Sequence, residues 1–259
     1  MQQSWLDKCK QLPVGTTARF RCCGSTKAAV LFNNPDSWSM YCFRCHTSLK
    51  EIKQYQSLSE GLQQHKVTEV PTDLKKLSEC SEYVQEAVYK FLLTKGIYPS
   101  MVPDAMFSAE LKRVLFKVSA SVYMARALNQ YQQPKWLQLG GRCGFAVVGK
   151  VQDPVRIVLT EDLLSAIKID YVQREFGEGN VLAVSLLGTK LDTKLRAVIA
   201  QSGLPVLCML DGDAAGYTGT RQITKDLKVY TEVKTYAEQG LDPKDLSCQK
   251  LLEVLNETI

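Results

Sequence analysis

The sequence has no long apolar run. No stretch approaches the roughly 18 apolar residues of a membrane helix, and the N-terminal MQQSWLDKCK lacks an apolar core of signal-peptide length. These absences argue against a membrane partner and predict a cytoplasmic protein. Disulfides are not expected either, because the nine cysteines are odd in number and four of them form two tight pairs before position 46. That usage is typical of metal binding together with buried thiols.

Composition indicates a folded protein. The 259 residues are 45% hydrophobic and 8% aromatic, which suffices for one large domain or two to three small ones. The whole net charge of +5 arises in residues 1–55, where eight basic residues face three acidic ones. Residues 111–152 contain basic and aromatic residues but no acidic one. That pattern is common on a solvated surface, and it equally suits a polyanionic ligand.

The most informative stretch is residues 205–220, PVLCMLDGDAAGYTGT. The apolar run from Val206 to Leu210 predicts a strand buried on both faces, and it stops at Asp211-Gly212-Asp213. The following residues are small and favour a helix. The two carboxylates therefore lie in a strand-to-helix turn, where open α/β sheets bind ligands, and they suit Mg²⁺. A hairpin turn would require a second strand directly afterwards, and AAGYTGTRQITKDL does not alternate like one.

Strands and helices alternate around this turn. The pattern predicts strands at 156–160, 180–188, 205–210 and 228–233, with helices at 163–176, 194–203 and 214–227. A mainly parallel sheet with helices on both faces follows. Glu161-Asp162 ends the first strand as Asp211-Gly212-Asp213 ends the third, so these carboxylates can converge on one site. A third acidic cluster, Asp242-Pro243-Lys244-Asp245, either contributes to a metal site or caps the last helix.

A cysteine-rich segment precedes this region. Cys42 and Cys45 form a Cys-x-x-Cys pair, the typical half of a zinc site. The other half is Cys22-Cys23, whose side chains point in opposite directions in extended backbone unless the turn into Gly24 reorients one of them. Otherwise His46 or a water completes the shell. A segment this short seldom has a sufficient core without a metal, so we predict zinc.

Several of these motifs resemble a known family. VLTEDLLSAIKI, LLGTKL and MLDGDAAGYTGTRQI resemble the Toprim catalytic domain. RVLFKV, YMARALNQYQQPKWL and GLDPKDL add the pattern of DnaG-type primases, and resemble the primase portion of phage primase-helicases. The resemblance runs from about Ser81 onward, and the cysteine-rich start fits the zinc-ribbon position of the family. No Walker-type motif is present, so the helicase half is not expected in this chain.

The resemblance implies an organisation in five parts. These are a zinc-ribbon-like module (1–55), a linker (56–79), a basic subdomain of an RNA polymerase core (80–152), a Toprim domain (153–240) and a C-terminal helix (241–259). The fold class is therefore α/β, or α+β overall, with a small β module ahead of a mainly parallel sheet flanked by helices. A phage-encoded protein of this kind would act in the host cytoplasm.

The resemblance also implies synthesis of short RNA primers on single-stranded DNA from ribonucleoside triphosphates. Mg²⁺ or Mn²⁺ would be held by Asp211 and Asp213, and Glu161 would either share in metal binding or take the proton of the attacking hydroxyl. Asp242 is a further candidate ligand, and the zinc module would read the template. The expected contacts to nucleotide and template are Arg113, Lys117, Arg126, Lys135 and Trp136.

Two other functions are compatible with a Toprim domain. A Toprim nuclease of the topoisomerase kind needs a nucleophilic tyrosine on a further large domain. A non-catalytic recombination mediator needs no nucleotide binding, so the PKWL and YMARAL segments argue against it. For a primase we expect a replicative helicase on a separate chain, contacted through residues 50–78 or through the apolar residues Leu251, Leu252 and Leu255 of the C-terminal helix. Packing of those leucines on the core is the simpler explanation.

Overall fold

A computed structural model describes residues 4–34, 36–53, 69–177 and 180–257. The chain divides into two compact units, Met1–Lys66 and Val67–Ile259. The first unit is a small β module and the second combines two sheets with helices, so the predicted α/β class is confirmed.

The first unit is a four-stranded antiparallel sheet preceded by one short helix. Its elements are α1 (Trp5–Lys10), β1 (Thr17–Phe20), β2 (Ala29–Asn33), β3 (Ser37–Cys42) and β4 (Ser48–Ile52), and the strand order is β1-β2-β3-β4. Alternate residues of β2 are buried, as expected for a strand with one solvated face. The buried core is small and is formed by Cys9, Ala29, Leu31, Met40 and Cys42.

The second unit begins with an antiparallel meander. Its strands are β5 (Lys75–Lys76), β6 (Met106–Ser108), β7 (Arg113–Lys117), β8 (Tyr123–Ala127) and β9 (Trp136–Leu139), paired in that order, and α2 (Glu82–Leu93) packs beside them. Residues 69–79, expected in the linker, differ from that prediction. Leu77 is 1% exposed in the core, and Val70 and Leu74 pack against Leu115 of β7. The rest of the expected linker, 56–68, lies outside the described residues.

The second sheet of this unit is mainly parallel, as predicted. It contains β10 (Ala146–Val148), β11 (Arg156–Thr160), β12 (Val181–Ser185), β13 (Val206–Met209) and β14 (Val233–Thr235), in the order β10-β12-β11-β13-β14. Only β10 among these strands runs antiparallel to its neighbour. The helices are α3 (Leu163–Phe176), α4 (Thr193–Ser202), α5 (Ala214–Leu227) and α6 (Cys248–Glu257).

The predicted strand at 228–233 is wrong. The backbone continues from α5 into a turn in which Thr231 N–H donates to the Leu227 carbonyl at 3.1 Å. The Thr231 hydroxyl also donates to the Leu204 carbonyl at 2.8 Å, and β14 begins only at Val233.

Helices cover both faces of the parallel sheet. Successive side chains of a strand point to opposite faces, so each strand contributes to a core on either side. In β11, Val158 packs with α3 and α6, whereas Ile157 and Leu159 pack with α4 and α5. Leu251 and Leu255 of α6 are completely buried on the first of these faces, so the simpler explanation of that helix is correct. None of the helices in the described ranges is long and apolar enough to span a membrane.

Candidate active site and zinc centre

The first unit contains a four-thiol cluster. The Sγ atoms of Cys22, Cys23, Cys42 and Cys45 all lie within 4.8 Å of one another. Cys22 is 3.7 Å from Cys45 and Cys23 is 3.7 Å from Cys42. Four sulfurs placed tetrahedrally about 2.3 Å from one zinc ion are about 3.8 Å apart, so this set fits zinc.

Both adjacent cysteines belong to the cluster because the chain turns directly after them. Gly24 has a φ of +69°, in the left-handed region that glycine adopts without strain. This is the turn that was expected to reorient one of the two adjacent cysteine side chains. His46, the alternative ligand, is not part of the cluster. Its Nδ1 lies 3.1 Å from the Tyr41 hydroxyl instead.

Cys22 and Cys45 differ in pKa. A hydrogen bond from Thr47 lowers the pKa of Cys45 to about 6, whereas hydrogen bonding to Cys45 raises the pKa of Cys22 to about 12. The thiolate is the form that ligates a metal.

The second unit brings acidic side chains together at one edge of the parallel sheet. Parallel pairing of β11 with β13 aligns Thr160 with Met209, so Glu161 and Asp211 leave the sheet at the same edge. Asp162 and Asp213 begin the helices that follow: their Oδ1 atoms accept the N–H groups of Ser165 and Gly216, each at 2.8 Å. We call the following set the acidic edge: Glu161, Asp162, Asp211, Asp213 and Asp242.

Two oxygens of the acidic edge are buried without a hydrogen-bond partner, namely Glu161 Oε2 and Asp211 Oδ1. Burial raises the pKa of Glu161, and the nearby Asp213, Asp162 and Asp242 raise it further. Burial also raises the pKa of Asp211 to about 7, although Lys244 opposes this shift. Buried carboxylate oxygens are normally paired or bound to a metal, so these two oxygens fit a divalent cation.

The acidic edge is more open than the thiol cluster. Among the residues that the structure describes, the four cysteines form the compact set of potential metal ligands, and no three carboxylates approach one another within 4.8 Å. Mg²⁺ keeps several waters and is often held by one or two carboxylates plus substrate phosphates. An open carboxylate site of this kind suits such a cation.

The turn between Asp211 and Asp213 is tightly packed. Gly212 N–H donates to the Leu241 carbonyl at 2.9 Å, and the Gly212 carbonyl accepts from Gly240 N–H at 2.9 Å. A Cβ at position 212 would collide with the Glu238 carbonyl oxygen. The turn is therefore held by the loop that leads to Asp242.

A basic cleft lies beside α2 and β8. It has a volume of about 770 Å³, and its lining includes Arg126, Lys135, Phe91, Tyr131 and Lys95. The Arg126 guanidinium carbon lies 5.3 Å from the Trp136 ring centroid and 5.8 Å from that of Phe91. Burial lowers the pKa of Arg126, while Asp162 raises it, so the cleft is electrostatically coupled to the acidic edge.

The predicted role of Arg113 in nucleotide or template binding is wrong. Its side chain is 3% exposed, and its guanidinium donates to the carbonyl groups of Ala125, Pro134 and Lys135. Arg113 therefore fastens the segment that carries Lys135. Because the guanidinium is buried and bonded to backbone carbonyls, the contribution of Arg113 is structural.

Lys117 and Trp136, two other predicted contacts, occupy different environments. Exposed Lys117 lines a separate cavity of about 710 Å³ with Arg174 and Asp170, whereas half-buried Trp136 packs beneath Arg126. The structure therefore joins Arg126, Lys135 and Trp136 but not Lys117.

Sequence reasoning missed Lys244. Its Nζ binds Asp162 Oδ2 at 2.8 Å and also binds Asp242 Oδ2. Burial disfavours the charged form, but Asp162 and Asp242 outweigh it and raise the pKa of Lys244. The only sign of this role in the sequence was its place within the cluster Asp242-Pro243-Lys244-Asp245.

No protein-family model and no curated protein sequence matches the chain. Solved structures do. The DnaG catalytic core aligns with a TM-score of 0.54 at 15% identity, covering 71% of this chain and 76% of that one. The zinc-binding and RNA polymerase domains of Aquifex aeolicus primase align with a TM-score of 0.53 at 15% identity, covering 99% of this chain and 82% of that one.

The primase fragment of the bacteriophage T7 primase-helicase protein aligns with a TM-score of 0.49 at 15% identity, covering 93% of this chain and 98% of that one. The two alignments above a TM-score of 0.5 span the parallel sheet, the meander and the cysteine-bearing module between them. The chain therefore has the fold of DnaG-type primases over nearly its whole length.

Proposed function

We propose that this chain is a DNA primase, a DNA-directed RNA polymerase that makes short RNA primers on single-stranded DNA. One observation carries the proposal beyond the fold: Glu161 Oε2 and Asp211 Oδ1 are buried without partners at the ends of adjacent parallel strands. Carboxylates in that state are prepared for a cation, and nucleotidyl transfer depends on positioning and charge neutralisation.

In this proposal Glu161, Asp211 and Asp213 hold Mg²⁺ or Mn²⁺. A bound divalent ion neutralises charge on the triphosphate and lowers the pKa of the attacking hydroxyl. Asp213 is exposed, and its Oδ1 accepts the Gly216 N–H, so Oδ2 is available as a ligand. Glu161 either completes the metal site or accepts the proton of the 3′-hydroxyl. Its raised pKa makes it a stronger base than an ordinary carboxylate.

The basic cleft binds the polyanionic substrates. Arg126 and Lys135 contact phosphates of the nucleotide and the template, and the aromatic side chains beside them offer surfaces for base stacking. Packing of Arg126 on Trp136 and Phe91 restricts its rotamers, so its guanidinium is held ready for a phosphate. The zinc module, with Cys22, Cys23, Cys42 and Cys45 as ligands, reads the template sequence.

The direct test incubates the full-length chain with mixed single-stranded templates, labelled ribonucleotides and Mg²⁺ or Mn²⁺. Short template-dependent RNA is expected on denaturing gels. Asp211→Asn should abolish it, whereas Asp104→Asn, an exposed aspartate of the same unit, should not. An Asp211→Asn protein that still makes RNA, or a folded wild type that makes none on any template, would refute the proposal.

We further propose that a replicative helicase on a separate chain recruits this primase. Binding through a few Lys and Arg phosphate contacts is weak and sensitive to salt, and tethering raises the local template concentration without new template contacts. The apolar face of α6 is buried in the core, which leaves residues 50–78 as the candidate contact from the sequence. RNA yield at limiting primase should rise when the matching helicase is added. Equal yields with and without helicase across salt concentrations would contradict recruitment.

A further inference from the structure

We propose that the Lys244 ammonium is a fixed internal cation of the acidic edge, which leaves room for one divalent ion in the nucleotide-free protein. That ion binds Glu161, Asp211 and Asp213, and a second ion arrives only with the triphosphate. This inference deepens the proposed function and rests on it for the identity of the substrate.

The first argument is the commitment of two carboxylates to Lys244. Its side chain is only 8% exposed and ion-pairs with both Asp162 and Asp242, whose side chains are 20% and 34% exposed. Both oxygens of Asp162 are engaged, because Oδ2 binds Lys244 and Oδ1 accepts the Ser165 N–H at 2.8 Å. An ion that took Asp162 Oδ2 or Asp242 Oδ2 as a ligand would have to displace the ammonium.

The second argument is that Lys244 cannot easily move away. Lys168, 4% exposed on α3, donates to the Lys244 carbonyl at 2.7 Å and to the Leu246 carbonyl at 2.6 Å. The same turn is closed by Asp242 N–H, which donates to the Asp245 carboxylate at 3.1 Å. Asp162, the N-cap of α3, thus binds the Lys244 ammonium, while Lys168 of the same helix holds the Lys244 backbone. The ammonium is positioned from both ends.

The third argument is the contrast within the acidic edge. Asp162 and Asp242 each pair one oxygen with Lys244, whereas Glu161 and Asp211 each keep a buried oxygen without a partner. A divalent ion bound beside Lys244 would meet the repulsion of a fixed positive charge a few ångströms away. The free protein therefore has one place where buried carboxylate oxygens lack a partner, at Glu161 and Asp211. A second ion needs the added negative charge of phosphates.

The test measures Mn²⁺ binding to the zinc-loaded full-length chain without nucleotide, by isothermal titration calorimetry and by electron paramagnetic resonance of free Mn²⁺. Wild type should bind about one Mn²⁺, and Lys244→Gln should bind about two, the number of a two-metal site. Lys250→Gln, which removes a lysine that is 46% exposed on α6, is the matched control and should still bind about one.

A second variant makes the outcome decisive even if Lys244→Gln fails to fold, which circular dichroism would reveal. Asp242→Asn should leave Mn²⁺ affinity within about threefold of wild type, because Asp242 serves Lys244 and not the metal. Loss of a true ligand would weaken affinity about tenfold or more. Two Mn²⁺ ions on the wild type, or a tenfold loss in Asp242→Asn, would overturn the inference. Neither result depends on RNA synthesis, so failure of the proposed function is scored separately.

Discussion

Replacing Asp211 with asparagine should stabilise the metal-free protein above neutral pH while it abolishes primer synthesis. The Asp211 side chain is half-buried at the acidic edge, its buried Oδ1 has no partner, and Asp242, Asp162 and Glu161 repel the carboxylate. Lys244 offsets only part of this cost. Asparagine occupies nearly the same volume without the charge, so it removes the repulsion together with the ability to bind a divalent cation.

The size of the effect follows from the pKa of Asp211, which burial raises from its ordinary 3.8 to about 7. Between these pH values the folded protein binds more protons than the unfolded chain, so the free energy of unfolding falls as pH rises through this window. About three pH units at about 1.4 kcal/mol each set an upper limit of about 4 kcal/mol. The advantage of the variant should be near zero below pH 4, grow through the window and level off above pH 7.

The assay is urea unfolding at several pH values in magnesium-free buffer without chelator, which leaves zinc on the cysteines. Circular dichroism at a helical wavelength follows the second unit, since α2 to α6 all belong to it. Mg²⁺ should stabilise the wild type but not Asp211→Asn. Asp104→Asn, an exposed change, should track the wild type at every pH. A variant no more stable than wild type at pH 8 would refute the reasoning.

Three further outcomes are expected. Cys23→Ser should reduce the zinc content, measured by elemental analysis, below one ion per chain, and should raise amide hydrogen exchange in the first unit alone. A wild-type protein that is purified without chelator and contains no zinc would contradict this. Arg126→Ala should lower primer synthesis about tenfold or more and leave the free energy of unfolding unchanged. Arg113→Ala should instead lower the free energy of unfolding by about 2 kcal/mol. The reverse pattern, with activity and urea unfolding measured on both variants, would argue against both roles. Leu77→Ala should lower the free energy of unfolding, measured in urea, by about 2–5 kcal/mol. Replacing the exposed Val229 with alanine should lower it by less than about 0.5 kcal/mol. Equal losses would argue against residues 69–79 as part of the core.

The parallel sheet was legible in the sequence because its strands are buried on both faces. RIVLT and VLCM are runs that only a two-sided core explains, and the helices between them have matching lengths. The segment KVYTEV was predicted as a strand because its residues favour β structure, but its first half forms the turn after α5. Leu77 was assigned to a linker because the residues around it are polar, and its burial depends on partners distant in sequence.

The candidate site was predictable in part. Carboxylates that follow parallel strands meet at one sheet edge, so Glu161, Asp211 and Asp213 could be placed together from the sequence. The ion pairs of Lys244 could not, because they join the start of α3 to a loop far along the chain. Arg113 was misplaced for a related reason. Its partners are backbone carbonyls, which no pattern of charged residues reveals.

The tight packing around Gly212 limits how this protein can vary. A side chain at position 212 would strike the Glu238 carbonyl, and one at Gly216 would strike the carbonyl of Asp211. In a saturation-mutagenesis library both positions should therefore be as depleted as the carboxylates, although neither carries a functional group. The spacing of Asp211 and Asp213 is fixed by backbone contacts, so this turn should be the slowest part of the chain to diverge.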